Sequence, residues 1–151
     1  MKLSPLQLSR QVLTKLNIEA IHDGDPNVGP DVATTVDANP TKDNPREWIV
    51  FLNVELKSPA GKKASYTGHI DLVGLFRIND QWPAEKIEKL VRVNGPSILY
   101  GAARELVANL TARGPWPMVM LPTLSFFTPA NEPAPQRQVT PETSREATKA
   151  T

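Results

Sequence analysis

Along residues 47–57 apolar side chains fall on every second position: Trp48, Val50, Leu52, Val54 and Leu56. That period places them on one face of a β-strand. The other face begins apolar with Ile49 and Phe51 and turns polar at Asn53, Glu55 and Lys57. Residues 64–78 repeat the pattern, with Tyr66, Ile70, Leu72, Phe76 and Ile78 on one face and His69, Asp71, Val73 and Leu75 on the other. Pro and Gly in the 58–63 connection suit a hairpin turn, so these two strands pair antiparallel at little entropic cost. Residues 6–20 alternate less regularly, through Leu6, Leu8, Val12, Leu16, Ile18 and Ala20. The phase slips near Leu13, which predicts a bulged first strand. Residues 31–38 are rich in β-branched side chains and predict a second strand, set off by turn-rich stretches at 22–30 and 39–46.

The period then changes. Residues 83–92 predict a short helix, with Pro83 at a first helical position and Ile87, Leu90 and Val91 at helical spacing. Asn94-Gly95-Pro96 predicts a break and a restart. Residues 97–113 predict one long helix with an apolar stripe of Leu99, Ala102, Ala103, Leu106, Val107 and Leu110, stopped by Gly114 and Pro115. Residues 115–128 are apolar but interrupted by Pro115, Pro117 and Pro122, so they are extended and pack on something. The expected fold is α+β: a four-stranded antiparallel sheet, one long helix and a short preceding helix, in one domain over 1–128. Residues 129–151 hold four Pro and one aliphatic residue beyond Ala, a composition too poor in apolar area to order itself, and predict a disordered tail.

Composition narrows the chemistry. The chain of 151 residues has 17 basic and 16 acidic side chains, a net charge of +1, which gives no electrostatic ground for a nucleic-acid partner. No stretch approaches the apolar length of a membrane span, and Met1 to Leu8 does not read as a signal peptide. Cysteine is absent, which removes disulfides and thiol chemistry. His69 and Asp71 share a strand face, but a metal site needs three or four ligands and no third is evident. No nucleophile elbow, phosphate-binding loop, dinucleotide fingerprint or EF-hand pattern occurs. The expectation is a non-enzymatic protein without metal or cofactor. What remains is more apolar surface than one helix can cover, which calls for an oligomer, an exposed groove for a partner chain, or both.

Residues 94–126 resemble a known family. Gly95–Pro96, Ile98–Leu99–Tyr100, Ala103–Arg104–Glu105, Arg113–Gly114, Trp116–Pro117, Leu121–Pro122 and Ser125–Phe126 are similar to the pattern of the SecB chaperones. Upstream, the aliphatic-Phe run at 69–78 stands where the family's fourth strand ends, and the likeness covers roughly 6–128. The resemblance implies a cytoplasmic tetramer, a dimer of dimers with helices sandwiched between sheets. It also implies an ATP-independent holdase that wraps unfolded polypeptide along hydrophobic grooves and passes export clients to the SecA motor. Some members instead hold an antitoxin, and a structural adaptor that kept the fold without client binding is a further alternative. The candidate client-binding residues are Val36, Leu99, Trp116, Met118, Met120, Leu124, Phe126 and Phe127; for each, ordinary core packing is the competing role. The SecA-docking face of typical members carries carboxylates on the first and fourth strands. Glu19 matches one, and His69 occupies the place of another, so Glu19 and His69 are the candidate docking residues.

Overall fold

The structure is a computed structural model that describes residues 1–127. Four strands come first: β1 (Leu6–Ala20), β2 (Asp31–Pro40), β3 (Glu47–Lys57) and β4 (Tyr66–Ile78). A single 3-10 turn, Ala84–Lys86, leads into one helix, α1 (Ile87–Thr111). The sheet is antiparallel throughout, in the order β1-β4-β3-β2. The expectation for residues 129–151 lies outside the described residues.

The two central strands bury the faces their alternation predicts. Trp48, Val50, Leu52, Val54 and Leu56 of β3 and Tyr66, Ile70, Leu72, Phe76 and Ile78 of β4 are all buried. The hairpin between them turns at Gly61, whose φ of 71° is a left-handed conformation that glycine adopts without strain. The first strand is bulged twice, between Leu8 and Arg10 and between Leu13 and Lys15. Those extra residues reset the phase. Leu13 and Leu16 stand opposite Leu72 and Ile70 and so share the helix side of the sheet, whereas Val12 stands opposite Val73 on the outer side. Leu8, Leu13 and Leu16 nevertheless stay exposed at this edge.

The helix differs from the expected break and restart: it runs through Pro96 without interruption. Its buried side presents Ile87, Val91, Gly95, Leu99, Ala103, Val107 and Thr111, a single row at four-residue spacing laid on the sheet. An interior proline costs about 3 kcal/mol. Burying Ile87, Val91, Leu99 and Val107 contributes roughly 1.5–3 kcal/mol each, so packing wins. Gly95 lets the backbone close on β3; a Cβ there would lie 3.0 Å from Val50 Cγ2. The same row means that only half of the expected stripe faces the sheet. Leu110, with Ile98, points away and is exposed.

Candidate polypeptide-binding surface

Residues 115–127 form neither helix nor strand and double back along α1 as a strap. Three prolines remove their N–H groups, and no main-chain to main-chain hydrogen bond ties this segment among the described residues. Its polar groups are met by side chains instead, as buried backbone requires. The Tyr66 hydroxyl sits against the carbonyls of Thr111 (3.2 Å) and Trp116 (3.1 Å) and accepts from the Trp116 N–H (3.0 Å). The Trp116 indole N–H donates to the Ile21 carbonyl at 3.0 Å. Thr111 Oγ1 accepts from the Val119 N–H at 2.9 Å. Further along, Arg104 Nε donates to the Leu121 carbonyl (3.0 Å) and the Tyr100 hydroxyl to the Pro122 carbonyl (2.8 Å). Burial pushes the Tyr100 hydroxyl above its ordinary pKa, against the opposing charge of Arg104, so it stays a donor at neutral pH.

The helix stop has its own reason. Gly114 does not take a positive φ, the usual cause of glycine after a helix. A Cβ there would lie 2.1 Å from the Tyr66 hydroxyl oxygen. Glycine is needed so that the tyrosine can reach the strap.

Extended geometry then sorts the strap by alternation. Val119 and Leu121 are buried, whereas Met118 and Met120 are 53% and 60% exposed. Trp116, Leu124 and Phe126 are half-buried against the core, Phe126 meeting Tyr100 edge-on at 6.0 Å between ring centroids. Phe127, 49% exposed, lies under the Lys89 ammonium at 5.4 Å and closes a depression of about 310 Å³ with Trp82, Leu90 and Val93. Val36 is half-buried on the helix side of β2, opposite Leu52. Of the expected client-binding residues one needs correction: Leu99 is 0% exposed. It belongs to the row that α1 presses on the sheet, where it fills the space that Gly74 leaves, a Cβ on Gly74 falling 2.9 Å from Leu99 Cδ2.

Glu19 and His69 lie elsewhere, on the outer face of the sheet, opposite Thr67 and Asn17 respectively. His69 Nε2 is 2.9 Å from Asp71 Oδ1, and Asn53 Nδ2 donates to the same oxygen at 2.7 Å. Among the described residues no group of three or more His, Asp or Glu is placed to hold a metal, and no helix is long and apolar enough to cross a membrane. Sequence reasoning assigned no role to Tyr66, Thr111, Tyr100 or Arg104. Tyr100 and Arg104 stood inside the quoted motif, but nothing in a linear pattern tells that they meet carbonyls about twenty residues on.

Comparison with known proteins fits this architecture. Residues 6–129 match the family model described as "Preprotein translocase subunit SecB". The protein-export protein SecB of Afipia carboxidovorans is 29% identical over 97 residues, covering 64% of this chain and 60% of that protein. The protein of the same name from Acidithiobacillus ferrooxidans is 35% identical over 77 residues, covering 51% of each. The chain thus spans little more than half the length of these relatives. Among solved structures, the SecB-like chaperone Rv1957 of Mycobacterium tuberculosis, in complex with a ChAD peptide from the HigA1 antitoxin, superposes with a TM-score of 0.61 at 18% identity, covering 80% of this chain and 91% of that one. The fold is therefore shared with that chaperone. With a family model matching most of its length and this sheet-and-helix architecture, the chain belongs to the SecB family, a family of chaperones rather than of enzymes.

Proposed function

We propose that this protein is an ATP-independent holdase that keeps other polypeptides unfolded by binding them along the strap. The observation that carries the reading is the outward row of Met118 and Met120 on an extended segment, beside half-buried Trp116 and Phe126 and exposed Phe127. Methionine is unbranched and polarisable, so it adapts to unlike side chains, as indiscriminate binding requires. Fully burying one such side chain contributes roughly 1.5–3 kcal/mol. Three or four of them, each already partly covered, leave a modest surplus after the cost of ordering a client, which suits holding and release. Strand β2 adds a second element. It is an edge strand of ten residues in unbroken register, so its outer backbone groups are available to an extended chain.

The relatives' name, protein-export protein, points to export precursors as clients, met in the cytoplasm before they cross a membrane. The Mycobacterium complex makes an antitoxin the second client class to test. A SecA-like motor would meet Glu19 and His69 on the outer face of the sheet. Assembly into a tetramer, a dimer of dimers, is supported by the apolar side chains left uncovered on the helix side: Leu8, Leu13 and Leu16 of β1 with Ile98 and Leu110 of α1. A native mass of four chains is the expected result.

The test is suppression of aggregation when a chemically denatured protein is diluted into buffer without nucleotide. Stoichiometric protein suppresses light scattering, and replacing Met118 and Met120 together by Ser weakens suppression several-fold while the circular dichroism spectrum is unchanged. Scattering that is the same with and without a several-fold excess of protein overturns the reading.

A further inference from the structure

We infer that Tyr100 and Arg104 are positioning residues for polypeptide binding: a clamp on α1 that fixes the register of the strap and so decides which of its side chains face a client. The inference rests on the holdase reading and extends it to residues that meet no client themselves.

The strap has no main-chain ladder to set its register, so side-chain tethers must set it. They form two groups. One group sits at the helix end, where Tyr66 and Thr111 hold Trp116 and Val119. The other group sits more than one turn back along α1, where Arg104 and Tyr100 hold the successive carbonyls of Leu121 and Pro122. Tyr100 and Arg104 are four residues apart and so neighbours on one helix face. Between the two groups lies Met120, and beside it Leu121, 2% exposed. In an extended chain a one-residue slip exchanges the inward and outward sets. With the clamp closed, Val119 and Leu121 point in and Met118 and Met120 point out. With it open, only the helix-end group holds; its tethers at Trp116 and Val119 bracket Met118, and Met120 loses its fixed direction. Tyr100 also carries the edge contact to Phe126, so the same residue places the next aromatic of the surface.

The chain contains three methionines, Met1, Met118 and Met120, which makes the test direct. Full-length protein is labelled with ¹³C at the methionine methyl groups. Tyr100→Phe removes one hydroxyl, Arg104→Leu removes one donor and its charge without adding a methionine, and Arg104→Lys restores a donor. The probe is reduced, carboxymethylated lactalbumin, followed by fluorescence anisotropy. In the Tyr100→Phe, Arg104→Leu double variant the Met120 methyl signal moves to the free-methionine position, while the Met118 signal, between residues held from the helix end, moves less and the Met1 signal stays. Probe affinity then falls about tenfold or more, since a charge-assisted hydrogen bond and a neutral one together exceed the free energy of a tenfold change. Arg104→Lys with Tyr100 intact recovers most of both. Unchanged affinity despite moved methyl signals, or weakened binding with the signals in place, overturns the clamp. A parent protein that does not bind the probe at all refutes the holdase reading instead, and the methyl signals of the variants still report whether the clamp sets the strap.

Discussion

Thr111 offers a sharp test of how the strap is held. It is fully buried in the last turn of α1, and its hydroxyl makes two short bonds beside a long one of 3.5 Å to the Ala108 carbonyl. It donates to the Val107 carbonyl at 2.7 Å and accepts from the Val119 N–H at 2.9 Å. The two are unequal in consequence. The Val107 carbonyl keeps its helical partner, the N–H four residues on, whatever the side chain does. The Val119 N–H has no other acceptor among the described residues. Thr111→Val keeps the shape, replaces the hydroxyl by a methyl and strands that buried N–H, a loss of about 2 kcal/mol. Thr111→Ser keeps the hydroxyl and deletes the methyl, a loss of about 1 kcal/mol. In a chain of this length those losses lower the melting temperature by about 4–8 °C and 2–4 °C respectively. Thermal unfolding by circular dichroism, at one fixed protomer concentration because assembly shifts the midpoint, separates them. If the valine variant melts at or above the serine variant, the hydroxyl is not what anchors the strap, and the side-chain account of this segment is wrong.

Two further outcomes follow from the same geometry. Gly74→Ala places a Cβ 2.6 Å from Phe76 Cε2 and 2.9 Å from Leu99 Cδ2, so helix and sheet must part; stability falls by about 1–3 kcal/mol, read as a lower denaturant midpoint at unchanged slope. Asp23 is held below its ordinary carboxylate pKa first by its hydrogen bond from Lys63, and the unfolded chain lacks that partner. Its contribution is therefore present above the unfolded value and lost as pH falls through the depressed folded value. In Lys63→Met, NMR titration of the Asp23 carboxyl moves it up toward the ordinary value, and in the parent 1 M salt shrinks the shift because the pair is exposed. An Asp23 midpoint indifferent to both changes refutes the assignment.

The sheet was legible where alternation is strict. β3 and β4 bury one face each, and no partner is needed to see which. In β1 the slip near Leu13 was legible and the bulge between Leu8 and Arg10 was not, since a strand at the sheet edge can take extra residues and its phase depends on β4, a partner remote in sequence. Asn94-Gly95-Pro96 carried the local signature of a break, and local rules were overruled by tertiary packing: Gly95 is small to admit Val50, and Pro96 is buried. Gly114 pointed to the right helix end for a different cause, the approach of Tyr66. In the candidate surface, composition and family likeness pointed to Trp116, Met118, Met120, Leu124, Phe126 and Phe127, but not to which of them face outward. That depends on side-chain tethers, most of whose partners are remote in sequence, and Leu99 was misplaced because a buried ridge and a lining ridge read alike along one helix.

The prolines of the strap have a consequence for how such a surface can exist at all. Under the proposed holding function the protein would be surrounded by strands in search of partners, and an apolar extended segment of its own would invite recruitment. Between Pro117 and Pro122 lie only four residues able to donate in a ladder, Met118 to Leu121. Segments that seed stacked sheets are about six or seven residues long and free of proline. That stretch of the strap is therefore sticky through its side chains and short of donors in its backbone: a growing fibril finds only four in a row there to copy.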